Sequence, residues 1–291
     1  MTYYGLHLTW HWSPFSLAAL LLLCLGYSLT LWLMHRRKPQ ERPIKKRQIA
    51  WFGSAVVVIA LFFFTPIDMI ARTQLFVAHM FQAVFLITFA APCLIFSCPD
   101  WLFDPLLKQP ITRVLFKMLT GPVVASLIFN ATFLLWHVPS IFTQTLTHSN
   151  LYHVMLWSIF LASLLNWWPL IGRQRALNKL SYPAQMFYAF LDGWPMDLYA
   201  LIIVFSGVVL YPYAVPSALN IGAYADQAAA GALLLLPGII DLVVMTPLFF
   251  RWMAQIDEQA KINDERLQAL IEAREQAERE EAEQEEKEVQ L

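Results

Sequence analysis

The sequence predicts an all-α membrane protein, a polytopic bundle of about seven transmembrane helices followed by a polar C-terminal helix. Of its 291 residues, 58% are hydrophobic and only 14% are charged, whereas an average soluble domain has about 25% charged residues. Apolar runs long enough to cross a hydrocarbon core of about 30 Å recur along the chain. These runs do not alternate in polarity, as the strands of a membrane β-barrel do. Together, these observations argue against a water-soluble fold and favour helical spans.

Seven segments qualify as predicted spans, separated by short polar or basic connections. They are approximately residues 14–34, 49–66, 74–97, 119–137, 153–171, 183–209 and 227–250. We interpret the first as a retained span, because no Lys or Arg precedes it, its apolar stretch is too long for a signal peptide and no small-residue cleavage site follows. The predicted organisation is an outer N-terminal segment (1–13), a transmembrane domain (14–251) and a cytoplasmic tail (252–291).

The basic residues predict the orientation of the bundle. Residues 35–48 contain seven Lys or Arg, and the connections 98–118 and 172–182 contain three each. The positive-inside rule places these connections in the cytoplasm, which puts the N-terminus outside and the C-terminus inside. Arg72 is then the only Lys or Arg on the outer side.

The C-terminal tail carries a charge opposite to that of the body. Residues 252–291 hold 13 acidic and 5 basic residues, whereas residues 1–251 hold 8 acidic and 15 basic ones, so the overall charge of −1 is a cancellation. The tail lacks Gly and Pro and is rich in Glu, Gln, Ala and Arg, which predicts a helix. Its later half has few apolar residues. It is either a solvated extension of the last span or an acidic arm for a cytoplasmic partner.

Six of the seven histidines fall on the predicted outer side, and only His35 lies in an inner connection. The six are His7, His11, His79, His137, His148 and His153. At 1.5 Å per residue, His79 lies about 8 Å inside the outer boundary, so all six could reach one zone of the outer leaflet. Imidazole is a common ligand of copper, zinc and iron, which predicts a metal site there. The alternative is that the histidines lie singly at the headgroup level.

Other polar or sulfur-bearing residues occur at the same depth. Met80 follows His79, and a thioether favours Cu(I), although methionine also fills apolar gaps. Asp226 and Gln227 open the seventh predicted span. We expect Asp226 to cap the N-terminus of its own helix or, alternatively, to hydrogen-bond a ligand histidine.

Four carboxylates lie in or near apolar runs: Asp68 beside the second span, Asp192 and Asp197 in the sixth, and Asp241 in the seventh. A charge at bilayer depth costs at least about 2.5–3.5 kcal/mol unless it is paired or protonated, so the last three should face the bundle interior. They are either structural, hydrogen-bonded groups or a relay in a transporter. The transporter ranks lowest among the functions because the sequence shows no obvious inverted halves. No nucleophile arrangement, phosphate loop or carboxylate pair predicts an enzyme.

Five ordered blocks of the sequence carry a family resemblance. They are AHMFQAVFLITFAAPCLI (78–95), LLWHVPSIFTQTL (134–146), THSNLYHVMLW (147–157), NWWPLIG (166–172), and LYPYA followed by DQAAAG (210–214 and 226–231). In this order and spacing, over about residues 68–240, the chain resembles the multispanning CtaG family of cytochrome c oxidase assembly proteins. The resemblance implies a role in maturing a haem–copper terminal oxidase, by handling the copper of its binuclear centre.

The resemblance also implies functional positions. The family's HMxQ maps to His79, Met80 and Gln82, its WHxP to Trp136, His137 and Pro139, its loop and helix-start histidines to His148 and His153, and its DQ to Asp226 and Gln227. Two positions depart from the family pattern. Ala83 stands where members often have a histidine, and Tyr152 where they often have an acid, so one ligand and one supporting carboxylate are missing.

The resulting hypothesis is a non-enzymatic assembly factor of the bacterial inner membrane. It binds copper, as Cu(I), at an outer-leaflet site and passes the ion to a nascent oxidase subunit. The predicted ligands are His79, His137, His148, His153 and Met80, with Gln82, Asp226 and Gln227 as supporting residues. The expected partners are that subunit, the lipid bilayer and a cytoplasmic partner of the tail, but no nucleic acid. The runner-up function is a haem-binding or electron-transfer protein with two helix histidines as axial ligands.

Overall fold

A computed structural model describes residues 2–3, 5–10, 12–37, 43–172 and 180–289 of the chain. The structure is 84% helical, which confirms the predicted all-α, membrane-like class. Within the described ranges, the strands are limited to a small antiparallel hairpin of β1 (Thr2–Tyr3) and β2 (Leu6–His7). Its backbone is tied to the bundle, because the His7 N–H donates to Gln74 Oε1 at 2.8 Å.

Most of the helices follow one another closely along the chain. They are α1 (Pro14–Arg37), α2 (Lys46–Phe64), α3 (Pro66–Thr73), α4 (Phe76–Phe85), α5 (Ala91–Ser97), α6 (Asp104–Lys108), α7 (Pro110–Leu119), α8 (Pro122–Trp136), α9 (Pro139–Thr147), α10 (Ser149–Ile171), α11 (Tyr182–Phe205), α12 (Ala223–Leu234) and α13 (Leu236–Val289). A π-helical turn, Leu86–Ala90, joins α4 to α5. Proline occupies one of the first two positions of α3, α6 to α9 and α11, where the missing N–H costs no helical hydrogen bond.

Five segments of the described chain are individually long and apolar enough to cross a membrane. They are Pro14–Arg36, Lys46–Phe64, Phe76–Ser97, Ser149–Ile171 and Tyr182–Phe205, which correspond to the first, second, third, fifth and sixth predicted spans. The fourth predicted span corresponds to α8, which is long enough to cross a membrane only together with α7. These two helices are bent by 63° at their junction. Gly121 is extended there because the following residue, Pro122, disfavours the helical conformation.

The seventh predicted span, 227–250, is not one continuous helix. α12 ends at Leu234, Leu235 forms a turn, and α13 begins at Leu236. Pro237 has no N–H to donate back to residue 233, so an uninterrupted helix would lose a hydrogen bond at this point. The structure therefore supports five spans, or six if the bent pair counts as one, and the prediction of seven is not confirmed.

α13 continues to Val289 as a single helix of 54 residues. The side chains of residues 253–280 are exposed, and their helical conformation agrees with the composition of the segment. The division into a membrane domain and a tail, and the orientation in the membrane, remain predictions.

The apolar core lies between α2, α4, α8 and α10. Phe63, Met80, Phe133 and Phe160, one from each helix, are fully buried there. Helix surfaces away from this core are apolar but exposed, as on α11, where Phe205 is 78% exposed. Such surfaces suit contact with lipid rather than water.

Candidate metal centre

A continuous chain of polar side chains, each within hydrogen-bonding distance of the next, crosses the core near the ends of α4, α8 and α10 that we predict to face outward. Its members, each at most 1% exposed, are His137, His79, Tyr152, Gln82, Asp68 and His153. Polar groups in such surroundings are costly unless they are hydrogen-bonded, so each contact restricts the orientation of the next side chain.

Two imidazoles face each other at one end of this chain. The Nε2 atoms of His79 and His137 are 3.1 Å apart, although the residues are 58 positions apart in sequence. His79 lies in the first turn of α4, and His137 is the residue that ends α8. The structure thus brings together two of the four predicted histidine ligands.

The hydrogen bonds around Gln82 determine which nitrogen of His79 carries the proton. The Gln82 amide nitrogen donates to the carbonyl of Phe62 at 2.6 Å, so its Oε1 must be an acceptor. Tyr152 donates its hydroxyl hydrogen to this Oε1 at 2.6 Å. The Tyr152 oxygen can then only accept from His79 Nδ1, which lies 2.8 Å away. His79 therefore carries its hydrogen on Nδ1 and a lone pair on Nε2.

His137 has the same tautomer for a simpler reason. Its Nδ1 lies 2.7 Å from the carbonyl oxygen of Phe133, and a carbonyl can only accept, so Nδ1 carries the hydrogen. Both facing Nε2 atoms therefore present lone pairs to each other across 3.1 Å. Such an arrangement is repulsive unless a cation, either a proton or a metal ion, lies between them.

Aromatic rings enclose the two imidazoles. Phe133 stacks on His137 with ring centroids 4.1 Å apart, and Phe76 stacks on His79 at 6.0 Å. Phe142 contacts both histidines, at 5.0 Å from His79 and 5.5 Å from His137. These contacts hold both rings in place and exclude water from the space between them.

Asp226 supports the centre, but not as the sequence predicted. Its carboxylate does not cap its own helix, α12, where Gly222 is the N-cap residue. Instead it accepts hydrogen bonds from the backbone N–H groups of Phe76 at 2.7 Å and Val77 at 3.2 Å, the first residues of α4. An anion at this position satisfies otherwise unpaired donors and interacts favourably with the helix dipole. Asp226 thus anchors the helix that carries His79.

Residues 206–222, between α11 and α12, pass over the centre. Gln227 binds this segment through its amide, accepting from the Leu210 N–H at 2.7 Å and donating to the Val208 carbonyl at 3.0 Å. Tyr211 donates to the carbonyl oxygen of His137 at 2.6 Å. Burial raises the pKa of Tyr211 to about 12, so its hydroxyl stays protonated at physiological pH.

The other end of the polar chain contains His153. Its Nε2 lies 3.1 Å from Asp68 Oδ1, and that oxygen also accepts from the Gln82 amide at 3.4 Å. Asp68 Oδ2 is buried and has no hydrogen-bond partner among the described residues. In this arrangement His153 contacts a carboxylate rather than the facing pair of imidazoles.

The four-histidine site that we expected is not assembled. His148 is an exposed residue that precedes α10, and Met80 packs in the apolar core. Within the described ranges, no three His, Cys, Asp or Glu side chains are grouped closely enough to hold a metal ion. His11, one of the outer histidines, lies outside the described residues, and His7 belongs to the N-terminal hairpin.

Sequence reasoning did not anticipate the roles of Tyr152 and Asp68. In the sequence, Tyr152 is only a departure from the family pattern, yet its hydroxyl joins His79 to Gln82. The sequence shows Asp68 as a carboxylate beside the second span, but it does not predict the contact with His153. The sequence indicated these roles only in that both polar residues lie at the same predicted depth in the membrane as the histidines.

The comparison with known families agrees with the resemblance found in the sequence. The family model for the cytochrome c oxidase caa3 assembly factor (Caa3_CtaG) matches residues 25–255, which is well over half of the chain. Every member of the polar chain falls within this region. No curated protein and no solved structure gives a match. The chain therefore belongs to the cytochrome c oxidase caa3 assembly factor family.

Proposed function

We propose that this protein assists the maturation of a haem–copper oxidase by holding a Cu(I) ion between His79 and His137. Copper is the cargo, and the recipient is a subunit of the oxidase. Membership of the assembly factor family supports the link to the oxidase. The several apolar helices support a location in a membrane, which we take to be the bacterial inner membrane with the histidine pair near its outer face.

The observation that carries the proposal is the 3.1 Å approach of the two Nε2 atoms, on rings whose Nδ1 atoms each face a hydrogen-bond acceptor. Metal-bound histidines usually donate their other ring N–H to a carbonyl or another fixed acceptor, as both residues do here. With metal–nitrogen distances of about 2.0 Å, two ligands of a tetrahedral ion are about 3.3 Å apart. The observed 3.1 Å lies within a few tenths of an ångström of that value.

The surroundings favour a singly charged copper ion over a divalent metal. Zinc sites usually supply four protein ligands, or three and a water, whereas two facing imidazoles supply two neutral nitrogens. The cost of burying an ion rises with the square of its charge, so an enclosed apolar site favours Cu(I) over a dication. Two protein ligands also leave coordination positions that a recipient protein could fill during transfer.

The same geometry argues against the haem alternative for this pair. Two axial histidines must lie on opposite faces of a porphyrin, with their nitrogens about 4 Å apart at metal–nitrogen distances of about 2.0 Å. Here the nitrogens face each other at 3.1 Å, and Phe142 packs against both rings. A small ion suits this space better than a porphyrin.

The proposal is tested by measuring the copper content of purified protein loaded with Cu(I) under reducing conditions. We expect about one copper per chain in the wild type and loss of that copper when His79→Ala and His137→Ala are combined. His148→Ala is the matched control, because this exposed histidine lies outside the polar chain. Unchanged copper in the double variant, or equal loss in the control, would refute the assignment.

A second measurement tests the role in oxidase maturation. In cells that carry the double variant, we expect the oxidase to contain normal haem but little copper in its binuclear centre. The control variant should support a fully loaded oxidase. An oxidase with normal copper in cells that lack the chain would contradict the proposed cargo.

A further inference from the structure

A second polar cluster lies where α8, α10 and α11 meet. The Asp192 carboxylate accepts from the side-chain amides of Asn130, at 3.1 Å from Oδ1, and of Asn166, at 2.5 Å from Oδ2. Tyr188 donates to Asn166 Oδ1 at 2.8 Å. Because each carboxylate oxygen receives an N–H donor, the hydrogen bonds of the cluster favour the ionised form of Asp192.

The described part of the chain does not supply a countercharge to this carboxylate. The ion pairs found between described residues, such as the two Arg–Glu pairs on the exposed part of α13, do not include Asp192. Asn130 is 6% exposed, and its Oδ1 has no hydrogen-bond partner among the described residues. A carboxylate and an unpaired amide oxygen inside an apolar bundle together create a strong requirement for a cation.

A cavity of about 50 Å³ lies beside the carboxylate. Its polar lining includes Asp192, Asn166 and Thr88, and its apolar lining includes Phe129 and Met196. Organic ligands usually occupy sites of about 300–1,000 Å³, and a water needs only about 10–15 Å³, so this space suits an ion with one or two waters.

The π-helical turn between α4 and α5 forms one wall of the cavity. It contributes Ile87 and Thr88 to the lining, and the indole N–H of Trp167 donates to the Ile87 carbonyl at 2.8 Å. Single π-turns within helices are frequent at functional sites. Here the turn places the hydroxyl-bearing Thr88 in the cavity wall.

We propose that this cavity is a binding site for one sodium ion, with Asp192 as its charged ligand. Carboxylate, amide and hydroxyl oxygens are donors for hard cations and are poor ligands for Cu(I). A single carboxylate balances a single positive charge, which favours a monovalent ion over Ca²⁺ or Mg²⁺. The site is distinct from the histidine pair, since none of the residues that line the cavity belongs to the polar chain that contains His79 and His137. It does not depend on the proposed copper function.

The experiment measures thermal unfolding of the purified protein in NaCl, KCl and choline chloride at constant ionic strength and pH. We expect NaCl to raise the midpoint saturably, by at least about 3 °C, relative to choline chloride, with a smaller effect of KCl. Asp192→Asn should abolish this difference. Asp197→Asn is the matched control, because it removes a carboxylate from the same helix outside the cluster and should keep the sodium response.

Direct binding of ²²Na⁺ to the wild-type protein keeps the proposal testable if Asp192→Asn does not fold. We expect one ion per chain, displaced by excess NaCl but not by choline chloride. Equal midpoints in the three salts, no bound ²²Na⁺, or a sodium response that survives in a folded Asp192→Asn variant would each overturn the proposal. Stronger stabilisation by KCl than by NaCl would overturn the assignment to sodium.

Discussion

Replacing Tyr152 with Phe tests the hydrogen-bond chain that orients the histidine pair. The substitution removes one oxygen atom and keeps the buried ring. It breaks two contacts at once, the 2.8 Å bond from His79 Nδ1 and the 2.6 Å bond to Gln82 Oε1. The His79 N–H and the Gln82 oxygen then lose their partner in a fully buried environment.

Two effects of Tyr152→Phe can be assigned magnitudes. Side-chain hydrogen bonds inside membrane proteins contribute about 0.6–1.7 kcal/mol each, so the loss of two predicts a destabilisation of about 1–3 kcal/mol. This corresponds to a midpoint lowered by about 3–10 °C. The substitution should also weaken copper binding. Removing a group that orients a ligand histidine typically weakens metal binding by about 10–100-fold, because the wrong nitrogen can then carry the hydrogen.

Competition with a chromophoric Cu(I) chelator measures this affinity, and thermal unfolding measures stability in the same sample. Tyr27→Phe is the matched control, because its hydroxyl donates to the Ser97 carbonyl at 2.8 Å, outside the polar chain. We expect the control to lose some stability and to keep its copper affinity. Unchanged copper affinity in a folded Tyr152→Phe protein, or an equal loss in the control, would refute the tautomer argument.

Two further substitutions test how the helices are held together. Gly231→Ala should lower the unfolding midpoint, because a Cβ there would lie 2.8 Å from the Ala200 carbonyl oxygen of α11. Gly53→Ala is the control. The new Cβ would meet nothing within 4 Å, and the substitution should stabilise α2 by about 0.5–1 kcal/mol. If thermal unfolding shows the same shift for both, close packing of α12 on α11 is not important for stability. Asp226→Ala should lower the free energy of unfolding by about 1–2 kcal/mol and reduce copper retention, because the N-terminus of α4 loses its capping carboxylate. The control variant Asp197→Ala should retain its copper. Full copper retention after Asp226→Ala would show that the cap does not position His79.

Most of the helical architecture could be predicted because a helix within lipid satisfies its own backbone. Five of the predicted spans correspond to single helical segments of sufficient length and apolarity. The two predicted spans that are not matched by a single long helix each contain a proline near a break in the helix. Pro122 separates α7 from α8, and Pro237 accompanies the break between α12 and α13. Both segments remain apolar across the interruption, so hydropathy alone does not reveal it.

The sequence predicts that the histidines lie at a similar depth in the membrane, but it does not predict which of them meet. The chain order and span boundaries place His79 and His137 near the same face of the membrane. They place His148 and His153 there as well, only five residues apart. The start of α10 at Ser149 separates these two, because it leaves His148 exposed and turns His153 into the core towards Asp68.

The sequence by itself determined the all-α, membrane-like class and the family, and it predicted a common depth for the histidines. Each of these properties depends on local composition or on short motifs. Only the tertiary structure decided that His79 meets His137, that Tyr152 selects the tautomer, and that Asp226 caps α4 rather than its own helix. These contacts join residues 58 to 150 positions apart, and such pairings depend on how helices rotate and pack against one another.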